Sequence, residues 1–469
     1  MSEIEIQVNG NGNGKPGGIT VFSGGTAANK LVDVFNRIIE KKACHLNYVI
    51  PISDNGGSSS ELIRFIGGPS VGDIRSRLVR LIPTREDEEN KEMAALKALF
   101  EHRLGPDPVK ARIEWLNIVG GDHFLWGYIS SPKMELIRSI LNTLNLEIVK
   151  RARRTSKYNF AQASIGNMFL TGARIFSGSF ESGIYLLSMI CSIPSSVDVL
   201  PAINSNFTHH ICAGLVDGTS ITGQVAISHP SEPTALLSDD LLAPITPANG
   251  PVSDTEQDDL LHHDDDEHNL PGSLPQLRKQ NITFSKDDEE DLPARIERLW
   301  YISQYGHEIW PRPNPKVLEA LRSSTAVIYS IGSLYTSIIP SLILKGVGQA
   351  IAAPQVRHKI LILNSKLDRE TGGKRDPMTG RDFVRAIARA AGTESWKKER
   401  RSELSDEELK EYVSHLVYLE GEGTPVVDME ELQGRLGIVC VKVAGKVDGG
   451  MARYDEDGLG KALEEILDS

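Results

Sequence analysis

The run Gly18-Ile-Thr-Val-Phe-Ser23, then Gly24-Gly25-Thr26, then apolar residues at helical spacing (Leu31, Val34, Phe35, Ile38) constrains the fold more than any other stretch. A short β-branched segment that passes through paired glycines into an amphipathic helix is the opening of a βαβ unit. Residues 46–52 supply a second apolar strand, Asp54-Asn-Gly-Gly-Ser-Ser-Ser60 a polar loop, and residues 61–66 the start of another helix. The alternation returns downstream as a helix over 315–322, a strand over 325–331, a Gly-Ser turn, a helix over 338–353 and a strand over 359–364. Strands alternating with helices predict an α/β fold around a parallel sheet.

Between these blocks the pattern changes. Residues 1–16 read as a disordered leader and 17–229 as the first part of the α/β domain. The latter includes a helix over 134–149, two helices in 161–193 broken at Ser177-Gly178-Ser179, and a hairpin pairing 208–215 with 221–227 across Asp217-Gly218. Residues 230–295 are rich in Pro, Asp and His without periodicity and read as a long disordered acidic insertion. The second part of the domain follows at 296–365. A charged helical insertion is expected at 366–415 and a C-terminal strand–helix segment at 416–469.

Charge narrows the function classes. The formal net charge is −12, but residues 256–291 alone hold 12 acidic and 3 basic side chains; the remainder carries 48 basic and 51 acidic ones. The acidity belongs to one segment, and no basic excess points to nucleic acid. Cys44, Cys191, Cys212 and Cys440 are scattered without a CxxC pair, which argues against a zinc knuckle and a disulfide framework. The first residues lack a signal-peptide pattern, and no uncharged apolar run is long enough to span a bilayer. A cytoplasmic protein without a membrane partner is expected; a homo-oligomer is compatible with the sequence.

The chemistry-bearing residues fall where strands end and helices begin. Gly24 and Gly25 permit close approach of a ligand to backbone, and Thr26 adds a hydroxyl at a helix N-terminus, a geometry that suits phosphate. An ordinary capped turn is the bland alternative. No Walker A motif or GxGxxG fingerprint is present. Asp54, past the second strand, could hold a ribose hydroxyl or a Mg²⁺ ion, and Asn55, Gly56, Gly57, Ser58 and Ser59 make a backbone-accessible loop. Gly72-Asp73-Ile74-Arg75 opens another helix; Asp73 could simply cap it, or Arg75 or Arg77 could meet phosphate oxygens. Asn167, in Ser164-Ile165-Gly166-Asn167, has the donors and acceptor to read a base. Gly332-Ser333-Leu334-Tyr335-Thr336-Ser337 repeats the logic of a hydroxyl-rich anion loop, with Ser333 and Thr336 as its hydroxyls, and Asn364 ends the next strand toward the same edge. His262-His263-Asp-Asp-Asp-Glu-His268 holds metal-ligand types without a scaffold and reads as a solvated run. His209 and His210 are neighbours on a strand and point to opposite faces. Trp396-Lys-Lys-Glu-Arg-Arg401 reads as a solvated helix face.

In their order and spacing, Gly24-Gly25-Thr26, Ser53–Ser59, Gly72–Arg75, Ser164–Asn167 and Gly332–Ile338 resemble the superfamily of 2-phospho-lactate transferases and gluconeogenesis factors. The resemblance covers about residues 18–229 and 296–392. It implies a Rossmann-like sheet, flanked by helices on both faces, with a nucleotide crevice at its strand ends. One branch is similar to enzymes that move a phospholactyl group from a guanosine diphosphate derivative with Mg²⁺. The other resembles nucleotide-sugar binders that act in carbon metabolism. The Gly332–Ser337 loop, Ile339-Pro340 and Glu370-Thr371-Gly372-Gly373 look like the second branch.

The chain departs from the family pattern at Ala27, Asn55, Ser60 and Ala163, where a Gly, an Asp, a Gly and a His are common. Asn55 removes one charge from a two-carboxylate Mg²⁺ site. The resemblance therefore implies a binder of a nucleotide or UDP-sugar-like ligand that needs no cofactor. The alternatives are a Mg²⁺-dependent phosphotransferase, with Asp54 catalytic and metal-binding, and an interaction scaffold acting through the acidic insertion.

Overall fold

The computed structural model describes residues 17–228 and 291–469, apart from 26, 54–55, 84–87, 155, 304, 373–375, 394–403 and 449–450. Thirteen strands occur among the described residues. In chain order they are β1 (Gly18–Phe22), β2 (Leu46–Ile50), β3 (Val197–Pro201), β4 (His210–Leu215), β5 (Ser220–Thr222), β6 (Ile296–Ile302), β7 (Glu308–Ile309), β8 (Ser324–Tyr329), β9 (His358–Ile362), β10 (His415–Tyr418), β11 (Val439–Lys442), β12 (Gly445–Asp448) and β13 (Met451–Tyr454).

Seven of them form one parallel sheet in the order β11-β10-β9-β8-β1-β2-β3. Counted within that sheet the order is 3-2-1-4-5-6-7, the doubly wound arrangement. The central strands β1 and β2 are buried at every position, as a sheet covered by helices on both faces requires. Flanking helices contribute apolar stripes: Val32–Lys42 buries Val32, Val34, Phe35, Ile38 and Ile39, while its lysines remain at the exposed end. The sheet and its helices share one continuous apolar core. Between β2 and β3 the chain inserts a helical layer that includes Glu88–Glu101, Pro108–Gly120 and Ser131–Arg151.

Three expectations need correction. The stretch 366–415 is not an appendage: its helix Gly380–Ala391 crosses between the adjacent parallel strands β9 and β10. Three arginines on that helix obscure an inward face of Phe383, Val384, Ile387 and Ala388. Accordingly, β10 and β11 belong to the main sheet rather than to a separate tail. The expected long helix over 338–353 is instead a π turn (Leu334–Ile338), a short helix (Ile339–Leu342) and a second short helix (Val347–Ala352), divided at the left-handed Gly346.

The third correction lies in a small antiparallel sheet, β5-β4-β6-β7. Its β4–β5 hairpin stops at Thr222, because Gly223 takes φ +93° and Gln224–Ser228 turns helical. Pairing of β4 with β6 ties together the two sides of the acidic stretch, whose residues 229–290 lie outside the described ones, as do residues 1–16, the His262–His268 tract and residues 396–401. No helix among the described residues is long and apolar enough to cross a membrane.

Candidate ligand crevice

In a doubly wound sheet the crevice opens where strand order reverses, beyond the carboxyl ends of the two strands that part there. Those strands are β1 and β8, and their exit loops are Gly24-Gly25 and Gly332–Ser337. The loops meet: a Cβ on Gly24 would lie 2.6 Å from Ser337 Oγ. A Cβ on Gly25 would lie 2.4 Å from Asp73 Oδ1 and 2.7 Å from Asp73 Cα, so only glycine fits between β1 and the Gly72–Arg80 helix.

Asp73 does not cap its own helix. Its carboxylate accepts a hydrogen bond from the Gly25 N–H; burial pushes its pKa up, while that bond and the Arg77 and Arg75 charges pull it down. Arg77 is fully buried and lies over the Tyr48 ring, 4.2 Å from its centroid. It donates to Ser23 Oγ at 3.2 Å, Gly24 O at 3.1 Å and Ala28 O at 3.3 Å. A side chain spent on three internal acceptors is a brace for the turn rather than a phosphate ligand, which removes Arg77 as an alternative to Arg75 in that role.

A second group continues the band. Asn167 is buried on the helix Ile165–Ser177; its Oδ1 accepts from Arg75 Nε at 3.0 Å and its Nδ2 donates to Ser59 Oγ at 3.4 Å. Ser59, buried on the helix Gly57–Phe65, faces Gly72. Burial pushes Arg75 down to about 10, and the nearby Arg103 charge adds to that, against opposing contributions from Glu101 and Asp73. Gly56 is the extended residue before the Gly57–Phe65 helix, and Gly57 and Ser58 occupy its first turn. Thr26, Asp54 and Asn55 lie outside the described residues.

The β8 side is held differently. Gly332 takes φ +138°, which L side chains avoid, and Asn364 clasps it: Gly332 N donates to Asn364 Oδ1 at 2.9 Å, and Asn364 Nδ2 donates to Gly332 O at 2.8 Å. The Thr336 side chain is buried. Its hydroxyl donates to Glu370 Oε1 at 2.6 Å, while the Tyr335 and Thr336 N–H groups donate to Glu370 Oε2 at 2.9 and 3.1 Å. The acceptor that an outside anion would offer at this helix start is therefore supplied by the Glu370 carboxyl. Glu370 is 2% exposed; burial, with the adjacent Asp368 charge, pushes its pKa up to about 8 against those three hydrogen bonds. Glu370 had no recognisable role in the sequence beyond its Glu-Thr-Gly-Gly context, since its partners lie 34 and 35 residues away.

Beside these loops runs a cleft of about 680 Å³, lined among others by Lys30, Arg80, Ser333, Asn364, Lys366 and Arg453. Ser333 starts the π turn without a capping bond from its own side chain. Gly332, Ser333 and Asn364 border the cleft; Gly24, Gly25, Asp73, Gly72, Ser59, Asn167 and Arg75 form the contiguous band behind it. A second cavity of about 400 Å³ is lined by Trp300, Ile309, Trp310, Tyr335 and Ile339. Its Arg298 and Arg389 pair with Glu308 and Glu297, as Arg80 of the first cleft pairs with Asp33.

Carboxylates near the crevice bear on a metal. Among the described residues Asp73, Asp368 and Glu370 are all engaged by backbone amides or hydroxyls, and Glu456 lines the cleft, so these carboxylates do not form a ready-made Mg²⁺ donor set.

The geometry agrees with the company the chain keeps. Residues 19–438 match the family model described as 2-phospho-L-lactate transferase CofD. An uncharacterized protein of Saccharomyces cerevisiae is 37% identical over 460 residues, covering 96% of this chain and 99% of its own. A gluconeogenesis factor of Halalkalibacterium halodurans is 22% identical over 369 residues, 79% of this chain and 72% of that one. A crystal structure of a UPF0052-family protein from Bacillus halodurans superposes with a TM-score of 0.56 at 19% identity, over 95% of this chain and 98% of that one.

Proposed function

This chain belongs to the 2-phospho-L-lactate transferase CofD family, and on that footing we propose that it binds a nucleoside-diphosphate-linked ligand of the nucleotide-sugar type across the β1/β8 crevice. The observation that carries the reading is the meeting of the Gly24-Gly25 and Gly332–Ser337 loops at the strand-order reversal, next to a cleft with Lys30, Arg80, Lys366 and Arg453 on its walls. Cationic side chains and small-residue backbone are what a diphosphate requires. The diphosphate would lie along Ser333 and the cleft cations, and the nucleoside toward the band that ends in Asn167 and Arg75. Thr26, Asp54, Asn55 and Ser58 would complete the contacts.

We place this binding in a regulatory role in carbon metabolism, exercised in the cytoplasm; the name gluconeogenesis factor, carried by a bacterial relative, supports the link to carbon metabolism. The second reading, phosphoryl-group transfer with Mg²⁺ and Asp54, is favoured by the name of the family model. In it, Asp54 would hold the ion or take a proton from an attacking hydroxyl, and the crevice loops would stabilise charge on phosphorus.

The test is isothermal titration of the full chain with UDP-, GDP- and ADP-sugars, with and without Mg²⁺. Metal-independent binding of a UDP-sugar, weakened about tenfold or more by Ser333→Ala or Lys30→Ala, is expected. Consumption of a guanosine donor only with Mg²⁺, abolished by Asp54→Asn, would transfer the assignment to the enzyme. Absence of binding to every nucleotide would overturn both.

A further inference from the structure

The helical layer between β2 and β3 holds a cluster that shares no residue with the crevice. His102 follows the helix Glu88–Glu101, Glu114 lies on the helix Pro108–Gly120, and His123 precedes the short turn Phe124–Trp126. One ligand atom from each lies within 4.8 Å of the other two. Glu114 Oε1 is 2.6 Å from His102 Nε2 and 3.7 Å from His123 Nε2. The other carboxylate oxygen, Oε2, accepts from the Gly105 N–H at 3.2 Å, which aims Oε1 at the imidazoles. The three side chains are 23%, 26% and 11% exposed, so solvent reaches the cluster from one side.

We propose that His102, Glu114 and His123 bind a divalent transition-metal ion of the zinc class, with solvent at a fourth position. Two imidazole nitrogens and one carboxylate oxygen are a donor set that zinc takes in tetrahedral sites, whereas Mg²⁺ and Ca²⁺ prefer all-oxygen sets. Three short elements converge here without a disulfide, and an ion shared among them would lock their angles. Binding asks two things of the site. His102 Nε2 must surrender the proton it shares with Glu114, to its own Nδ1 or to solvent. His123 Nδ1 must give up a long 3.4 Å bond from the Leu125 N–H if Nε2 ligates. The ion would also brace the helix bearing Asn167, because His102 O accepts from Ile165 N at 3.0 Å and Leu104 N donates to Ala163 O at 2.9 Å.

The experiment titrates the full chain, stripped with a chelator, with Zn²⁺ against a chromophoric competitor, alongside its melting temperature. One ion per chain at about 10 µM free Zn²⁺ and a raised melting temperature are expected. His123→Gln, and as a second variant Glu114→Gln, should weaken that site about tenfold or more. The triple change His262→Gln, His263→Gln and His268→Gln controls for the acidic tract and should leave it intact. Retention of zinc by both single variants, loss in the triple variant, or no zinc bound by the unaltered chain would overturn the proposal.

Discussion

On the two sides of the crevice the same task, turning the chain at the end of a buried strand, is solved by opposite means. Beyond β1 the turn depends on atoms that are missing: Gly25 lies so close to Asp73 that a methyl group has no room, and Arg77 braces the carbonyls. Beyond β8 the turn depends on side chains that are present: Asn364 clasps Gly332, and Glu370 caps Tyr335 and Thr336. A close-packed turn fails when volume is added. A polar-capped turn fails when a partner is deleted or its charge is altered.

The sharpest way to break the contrast is Gly25→Val, expected to cost about 3 kcal/mol or more, as read by urea denaturation. Glu370→Ala is next: it strands two backbone amides and the Thr336 hydroxyl, with an expected loss of about 3 kcal/mol. Glu370→Gln sharpens the difference instead. A carboxyl whose folded pKa lies near 8, above its unfolded value, holds its proton more tightly when folded. Its contribution is fully present below the ordinary glutamate range and is lost as pH rises through about 8. Melting curves should therefore show the unaltered protein losing ground to Glu370→Gln between about pH 5 and 8, and a parallel course would refute the assignment. Asn364→Ala should cost about 1–2 kcal/mol through the Gly332 clasp. Ser333→Ala, at the cleft rim, should move stability by no more than about 0.5 kcal/mol while it lowers ligand affinity.

What could be read in the sequence follows the same division. Glycines punctuate the sequence where the chain turns, so the Gly24-Gly25 pair after an apolar strand, Gly332 after another and Gly72 at a helix start are legible in it. The roles of Glu370 and Arg77 are not legible, because a side chain whose partners lie 34 to 54 residues away looks in sequence like any surface charge. Thr336 illustrates the same limit: in sequence a hydroxyl at a helix start reads as open to a ligand, whereas in the fold it donates to Glu370. The helix Gly380–Ala391 reads as part of a charged insertion because arginines interrupt its apolar face. The helical layer's His–Glu cluster was invisible because its members are brought together by the angles between helices, not by spacing.

The position of β1 has a consequence in time. One neighbour, β2, is made almost at once, and the other, β8, much later: the Thr20 and Ser324 hydroxyls that join the two strands are 304 residues apart. During synthesis one edge of β1 must therefore wait, carrying unpaired amides of the kind that recruit stray strands. The wall of the cleft that includes Arg453 and Tyr454 comes later still, with Tyr454 reaching over to the carbonyls of Leu363 and Val417. A nascent chain can thus own most of its core while its cleft still lacks a wall, and a ligand of the kind proposed would meet a complete cleft only after the last strand has been made.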